Sequence, residues 1–138
     1  MNIDSIKNGV VIDHIKAGEG MKLYRLLGLD ALDCSVAIIK NVPSKKIGKK
    51  DIIKIDADID VDFDVIGFVD PDATVNIIRN EKLVEKKAIE MPDRLVNVIK
   101  CKNPRCITST EQDLPHIFKL SDKARKLYRC VYCETKQN

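Results

Sequence analysis

The sequence predicts an α+β chain in two parts: an α/β sandwich with an antiparallel sheet and two helices, then a small antiparallel-β module held by a metal. Three observations carry this. Short β-branched runs recur between Gly9 and Ile89, and two segments interrupt them with helical spacing. Four of the five cysteines form two close pairs near the C-terminus. A hydrophobic fraction of 44% beside 33% charged residues is that of a chain with a core, too apolar and too mixed in charge for a disordered tail.

The run Gly9 to Ile15, GVVIDHI, has the composition of a buried strand, yet it carries Asp13 and His14, whose polar groups need partners. After Ala17 to Gly20, apolar residues at Met21, Leu23, Tyr24, Leu26 and Leu27 recur at helical spacing, and Gly28 can supply a left-handed cap. Ser35 to Val42 is a second strand, ending at Pro43-Ser44. Lys49 to Ile55 is a third, and the turn around Gly48 makes the two a hairpin. Between Asp56 and Asp64 aspartates alternate with Ala57, Ile59, Val61 and Phe63, a strand-like period of two, whereas Phe63, Ile66, Gly67 and Asp70-Pro71 suit the end of a helix. Ala73 to Ile78 and Lys82 to Ile89 are further strands, and Met91-Pro92 breaks the pattern. This divides the chain into residues 1–92 and 93–138.

The net charge of +3, from 24 basic and 21 acidic residues spread along the chain, is a weak signal for a nucleic-acid binder. Neither a signal-peptide stretch nor a run of about 18 apolar residues is present, which reads as soluble, cytoplasmic and without a membrane partner.

The sharpest chemical signal is C-x4-C, 23 residues, then C-x2-C, formed by Cys101, Cys106, Cys130 and Cys133. Thiolates are soft ligands suited to zinc, each close pair can span one edge of a tetrahedron, and the residues between form a knuckle-linked β layer. One structural zinc ion per chain is expected, with iron as the alternative. Four cysteines leave no open position for water, so the metal is not a hydrolytic centre. His116 lies between the pairs and reads as a loop histidine.

Elsewhere each functional reading has a plainer rival. Asp13 and His14 could be an acid/base pair or a hydrogen-bonded strand end; no nucleophile or glycine-rich phosphate loop accompanies them, which argues against an enzyme. Lys45, Lys46, Lys49, Lys50 and Lys54 could be a solvated edge. However, Lys50, Ile52 and Lys54 share one face of a strand, a cradle for a base and its phosphates, to which Lys86 could add a third charge. The aspartate alternation lacks the glycine and glutamate of a calcium loop in either register. Cys34 reads as a small buried hydrophobe. Lys119, Lys123, Arg125, Lys126 and Arg129 near the second cysteine pair leave a rival function, a nucleic-acid-binding zinc ribbon, although 4% aromatic residues offer few stacking platforms.

Taken together, GVVIDHI at 9–15, VPSKKIGKKDIIKI at 42–55, DATVNII at 72–78, MPDRLVNVIKC at 91–101 and the CKNPRC and CVYC pairs resemble the regulatory chain of aspartate carbamoyltransferase over essentially the whole length. The resemblance implies a non-catalytic subunit with a ferredoxin-like nucleotide-binding domain and a zinc domain that docks on the catalytic chain. It also implies a regulatory-chain homodimer, and ATP, CTP and, in some members, UTP as effectors of pyrimidine synthesis, with no nucleic acid involved. Carried over residue by residue, the effector site comprises Asp13, His14, Lys50, Lys54, Asn76, Ile78 and Lys86, with backbone groups beside Ile6, Val11 and Ile78 reading the base. Asn103 and Glu134 match polar positions at the contact with the catalytic chain. Glu81 stands where an aromatic is expected, and a helix is implied over the acidic stretch, overriding its alternation.

Overall fold

A computed structural model describes residues 6–137, and most of the amino-terminal stretch read for a targeting segment lies outside them. The chain separates into two compact units, Met1–Glu90 and Met91–Asn138, each with its own sheet. Among the described residues no helix is long and apolar enough to cross a membrane.

The first unit runs β1 (Gly9–Lys16), α1 (Gly20–Leu26), a 3-10 turn (Leu29–Ala31), β2 (Val36–Ser44), β3 (Gly48–Ile55), α2 (Phe63–Val69), β4 (Thr74–Arg79) and β5 (Lys82–Ala88). Its strands order β2-β3-β1-β4-β5, each pair antiparallel. Without β5 this is the arrangement of a ferredoxin-like βαββαβ unit. On one face Val10, Ile12, Ile15, Ile53, Ile55 and Val75 are buried together with Leu23 of α1 and Val65 and Ile66 of α2. The period of two then leaves Val11, Asp13, Lys50, Ile52, Lys54 and Asn76 half-buried on the face without helices.

One inward position is not apolar. Asp51 is fully buried on the helix side, between Lys50 and Ile52. Its Oδ2 accepts from the backbone N–H groups of Gly18 and Gly20, both at 3.0 Å, and its Oδ1 from that of Asn41, also 3.0 Å. The carboxylate thus ties the β1–α1 connection to a bulge in β2 and satisfies three donors that would otherwise be stranded. Gly20 is required by this packing: a Cβ there would stand 2.8 Å from Asp51 Oδ2. Asp70 makes a second tie, accepting from Lys16 N at 2.7 Å and Asp72 N at 3.0 Å.

Three local expectations are corrected. β2 continues through Pro43 and Ser44, paired with Lys49 and Gly48; it is an edge strand, so the missing N–H of Pro43 can face outward. The helix expected over the acidic stretch begins only at Phe63, with Asp62 Oδ1 accepting from Asp64 N and Val65 N as its N-cap. Residues 56–62 form neither strand nor helix. They keep their period of two, with Ala57, Ile59 and Val61 turned partly inward and the aspartates exposed, but among the described residues no strand pairs with them. Cys34 is half-buried instead of buried.

The second unit comprises β6 (Arg94–Val96), a short helix α3 (Ile107–Thr110), β7 (Ile117–Asp122) and β8 (Leu127–Cys130), with sheet order β6-β7-β8. Leu95, Phe118, Tyr128, Cys106 and Cys130 are its buried residues of apolar character, and the Tyr128 hydroxyl donates to Pro92 O at 2.7 Å. So few buried side chains leave a unit of this size dependent on a cross-link. The helix α3 was not anticipated; it follows directly from Cys106 and belongs to the cysteine loop.

Candidate functional site

Two sites emerge, one in each unit. In the first, the register of the sheet places Lys54 opposite Val11, Val11 opposite Asn76, and Asn76 opposite Lys86. Four strands therefore contribute one residue each to a single row across the helix-free face, about 14 Å long at the usual strand spacing. Gly9 and Ile78 form the row beside it, and Asp13 opposite Thr74 begins the row on the other side. Ile6 is buried at the Gly9 end, where its Cγ2 would lie 2.7 Å from a Cβ on Gly9.

A bulge shapes the far end. β1 gains a residue against β3 between Ile12 and Ile15, so Asp13 and His14 stand opposite Ile52, with His14 at φ +60. The extra residue lets Ile12 and Ile15 both point inward while Asp13 stays on the open face. The partners that the sequence required are present. Asp13 Oδ1 accepts from Lys50 Nζ at 3.0 Å and from the His14 N–H at 2.6 Å, and His14 Nδ1 lies 3.1 Å from Thr74 Oγ1. Burial works to raise the Asp13 carboxyl, but Lys50 and His14 together hold it below its ordinary 3.8.

One atom lacks what the others have. Asn76 Oδ1, at the centre of the row, is buried and has no hydrogen-bond partner among the described residues. A buried amide oxygen without a donor is unfavourable by about 1–3 kcal/mol and marks a place for a ligand donor or water. Lys86 at the row's end is exposed. Lys45, Lys46 and Lys49 are outside the cradle, exposed at the β2–β3 turn, where Ser44 Oγ accepts from Lys46 N and Ile47 N. Glu81 occupies, with Asn80, the two-residue β4–β5 turn, both at positive φ, and its N–H donates to Lys7 O at 2.9 Å.

In the second unit the four cysteine Sγ atoms all lie within 4.8 Å of one another. Cys101 and Cys133 are 3.5 Å apart, and Cys106 and Cys130 3.7 Å. A tetrahedral zinc–thiolate centre with Zn–S of about 2.3 Å needs S···S separations of about 3.8 Å, so the donor set fits with small adjustment. Thr108 Oγ1 donates to Cys106 Sγ at 3.1 Å, and the Thr135 hydroxyl lies 3.2 Å from Cys133 Sγ. That hydroxyl draws the Cys133 thiol down to about 6, whereas burial pushes Cys101 up to about 12 and Cys130 upward as well. His116 is outside the cluster: its Nδ1 accepts from the Cys101 N–H at 3.4 Å. Asn103 holds the first cysteine loop, its Oδ1 accepting from Arg105 N and its backbone O from Cys106 N. Glu134 is exposed at φ +64 in the second knuckle.

The family described as aspartate carbamoyltransferase regulatory chain, allosteric domain, matches residues 1–90, and its companion, the metal binding domain, matches residues 93–138. The chain is 52% identical over 134 residues to the aspartate carbamoyltransferase regulatory chain of Clostridium botulinum strain Hall, covering 97% of this chain and 92% of that one. It is 53% identical over 135 residues to that of Clostridium tetani (97% and 94% covered), and 46% identical over 134 residues to that of Bifidobacterium longum (97% and 96% covered). With both units matched and whole-length relatives near half identity, the chain belongs to the family of aspartate carbamoyltransferase regulatory chains.

Proposed function

We propose that this regulatory, non-catalytic subunit binds ATP, CTP and UTP on the helix-free face of its N-terminal sheet and transmits their binding to the catalytic chain of aspartate carbamoyltransferase. In this reading it acts in the cytoplasm, in pyrimidine biosynthesis, as a homodimer that docks through its metal-bearing unit. The observation that carries it is the row Lys54, Val11, Asn76 and Lys86, with the unpartnered Asn76 oxygen at its centre.

The chemistry follows from the side chains. Lys50, Lys54 and Lys86 neutralise a triphosphate, and the Asn76 oxygen gains a donor from a base or ribose. Asp13 can accept from ribose hydroxyls or an amino group, His14 borders the sugar, and backbone groups beside Ile6, Val11 and Ile78 face the base. No bond is broken there. Regulation needs only that a nucleotide bind one quaternary state better than the other, commonly by about 1–3 kcal/mol. Cys101, Cys106, Cys130 and Cys133 would hold a zinc ion, which supplies a cross-link and not reaction chemistry. Asn103 and Glu134 lie on the docking side of this reading.

The test is the carbamoyl-transfer rate of the same organism's catalytic trimer at sub-saturating aspartate, with and without the metal-loaded chain, across ATP and CTP concentrations. Nucleotide sensitivity that depends on the chain supports the proposal. Assembly without any nucleotide response refutes the effector site, and failure to assemble refutes the docking.

A further inference from the structure

Two bulges flank adjacent residues of β3. On the β1 side Asp13 and His14 both stand opposite Ile52, and on the β2 side Lys40 and Asn41 both stand opposite Asp51. Each bulge ends in a left-handed residue that is not glycine, His14 in one and Asn41 in the other, both at φ +60. Such backbone is unfavourable for a residue with a side chain, and strain of this kind collects where a protein binds or switches. A bulge also interrupts the ladder, so the stretch from Lys50 to Ile52 relies on side chains to stay in place.

Those side chains act on opposite faces. Lys50 lies on the open face, where its Nζ stands 3.0 Å from Asp13 Oδ1 in the β1 bulge. Asp51 lies on the helix side, where it accepts from Gly18 and Gly20 in the β1–α1 connection and from Asn41 in the β2 bulge. Consecutive residues thus hold one bulge each, and a single peptide joins the two grips. The Lys50 side chain is only 16% exposed, so its stem has little room to swing. A triphosphate that draws its ammonium group from Asp13 therefore acts on the backbone between Lys50 and Asp51.

We propose that Lys50 and Asp51 form a two-sided relay, in which Lys50 senses the phosphates on the open face and Asp51 passes that contact to the β1–α1 connection and the β2 edge. This rests on the nucleotide-binding reading above and names the route out of that site. Asp51 touches no nucleotide; it is a positioning residue. A nucleotide binds only the closed cradle, so it suppresses every opening that breaks the contacts of Lys50. Openings that release Asp51 belong to that set, so its backbone partners gain protection when the cradle fills. By the same linkage, weakening the hold of Asp51 weakens what the nucleotide can transmit.

The experiment compares amide exchange in the full zinc-loaded chain, with and without CTP, for wild type and for Lys50→Gln at equal CTP occupancy. In wild type, CTP should slow Gly18, Gly20 and Asn41 about tenfold or more. It should leave Asp64 and Asp72 unchanged, whose N–H groups are held in the same manner by Asp62 and Asp70, outside the relay. In Lys50→Gln the slowing at Gly18, Gly20 and Asn41 should be lost. Reassembled with the catalytic trimer, Asp51→Asn should bind CTP within about threefold of wild type, yet lose most of the CTP effect on carbamoyl transfer at sub-saturating aspartate. A merely structural Asp51 would lower the urea midpoint and keep the full response, which overturns the relay. If Asp51→Asn does not fold, the exchange comparison between wild type and Lys50→Gln decides. If wild type binds CTP but the amides of Gly18, Gly20 and Asn41 do not slow, or slow equally in Lys50→Gln, the relay fails and the nucleotide reading stands. If wild type does not bind CTP, both are overturned.

Discussion

Replacing Asp51 tests how the first unit holds its shape. Its carboxylate is fully buried and accepts three backbone N–H groups, from Gly18, Gly20 and Asn41, each at 3.0 Å. In Asp51→Asn the amide oxygen can keep the two donors at the Oδ2 position, while the amide NH2 then faces the Asn41 N–H. One donor is stranded, at about 1–3 kcal/mol, and two charge-assisted bonds become neutral ones, each weaker by about 1 kcal/mol. The amide is easier to bury than the carboxylate, which offsets part of this, so a net loss of about 2–4 kcal/mol is expected. Asp51→Ala strands all three donors, and partial entry of water limits its loss to about 3–5 kcal/mol. Native-state hydrogen exchange reads both the global loss and the local one, with the amides of Gly18, Gly20 and Asn41 losing the most protection. Gly20→Ala adds an internal check, because its new Cβ would lie 2.8 Å from Asp51 Oδ2. The double variant with Asp51→Ala removes the contact with Oδ2 and leaves only the Cβ of residue 51 at 3.0 Å, so the two losses should combine to less than their sum. Losses under about 0.5 kcal/mol for both Asp51 variants, or unchanged exchange at the three amides, would show that the carboxylate does not hold the loop.

Three further outcomes follow from the two sites. Asn76→Val removes a buried acceptor that has no partner, so urea denaturation should find the free chain as stable or more stable, while calorimetry finds weaker nucleotide binding. Lys50→Gln should weaken ATP and CTP binding about tenfold or more, because it removes a cation and leaves Asp13 unneutralised beside the phosphates. Adding Asp13→Asn should recover part of that loss, and a strictly additive double variant would contradict the coupling. Chelation should unfold the second unit, followed by loss of its amide protection. Metal affinity should also fall as pH falls, because protons compete for the thiolates. Each ion bound should therefore release protons from the cysteine thiols, which titration in two buffers can count.

Much of the chain was legible because its signals are periodic or chemical. The alternation around Lys50, Ile52 and Lys54 placed two ammonium groups on one face, and the structure has them there. The spacing of the cysteines brought four sulfurs together. What stayed hidden depends on pairing between distant segments. That Lys54, Val11, Asn76 and Lys86 share one row is a matter of register, and the bulge at Asp13 and His14 sets which side chains face outward. Asp51 carried a signal that could have been read: it is the only charged residue at an inward position of a strand whose other inward residues are Ile53 and Ile55. The acidic stretch misled both ways, since its alternation reflects partial burial of Ala57, Ile59 and Val61 in a loop, and among the described residues no strand pairs with it. The family pattern lengthened a helix that Asp62 begins.

The order of strands also governs when the first unit can form. β1 is synthesised before the other strands of its sheet, yet it lies between β3 and β4, both made much later. Contacts so far apart in sequence close slowly, and a nascent chain must wait for them. Until Arg79 is available, one edge of β1 remains open to any other extended segment. A chain interrupted before β4 would therefore expose the strand meant to be the most protected, which makes late truncation more hazardous to solubility than its length suggests.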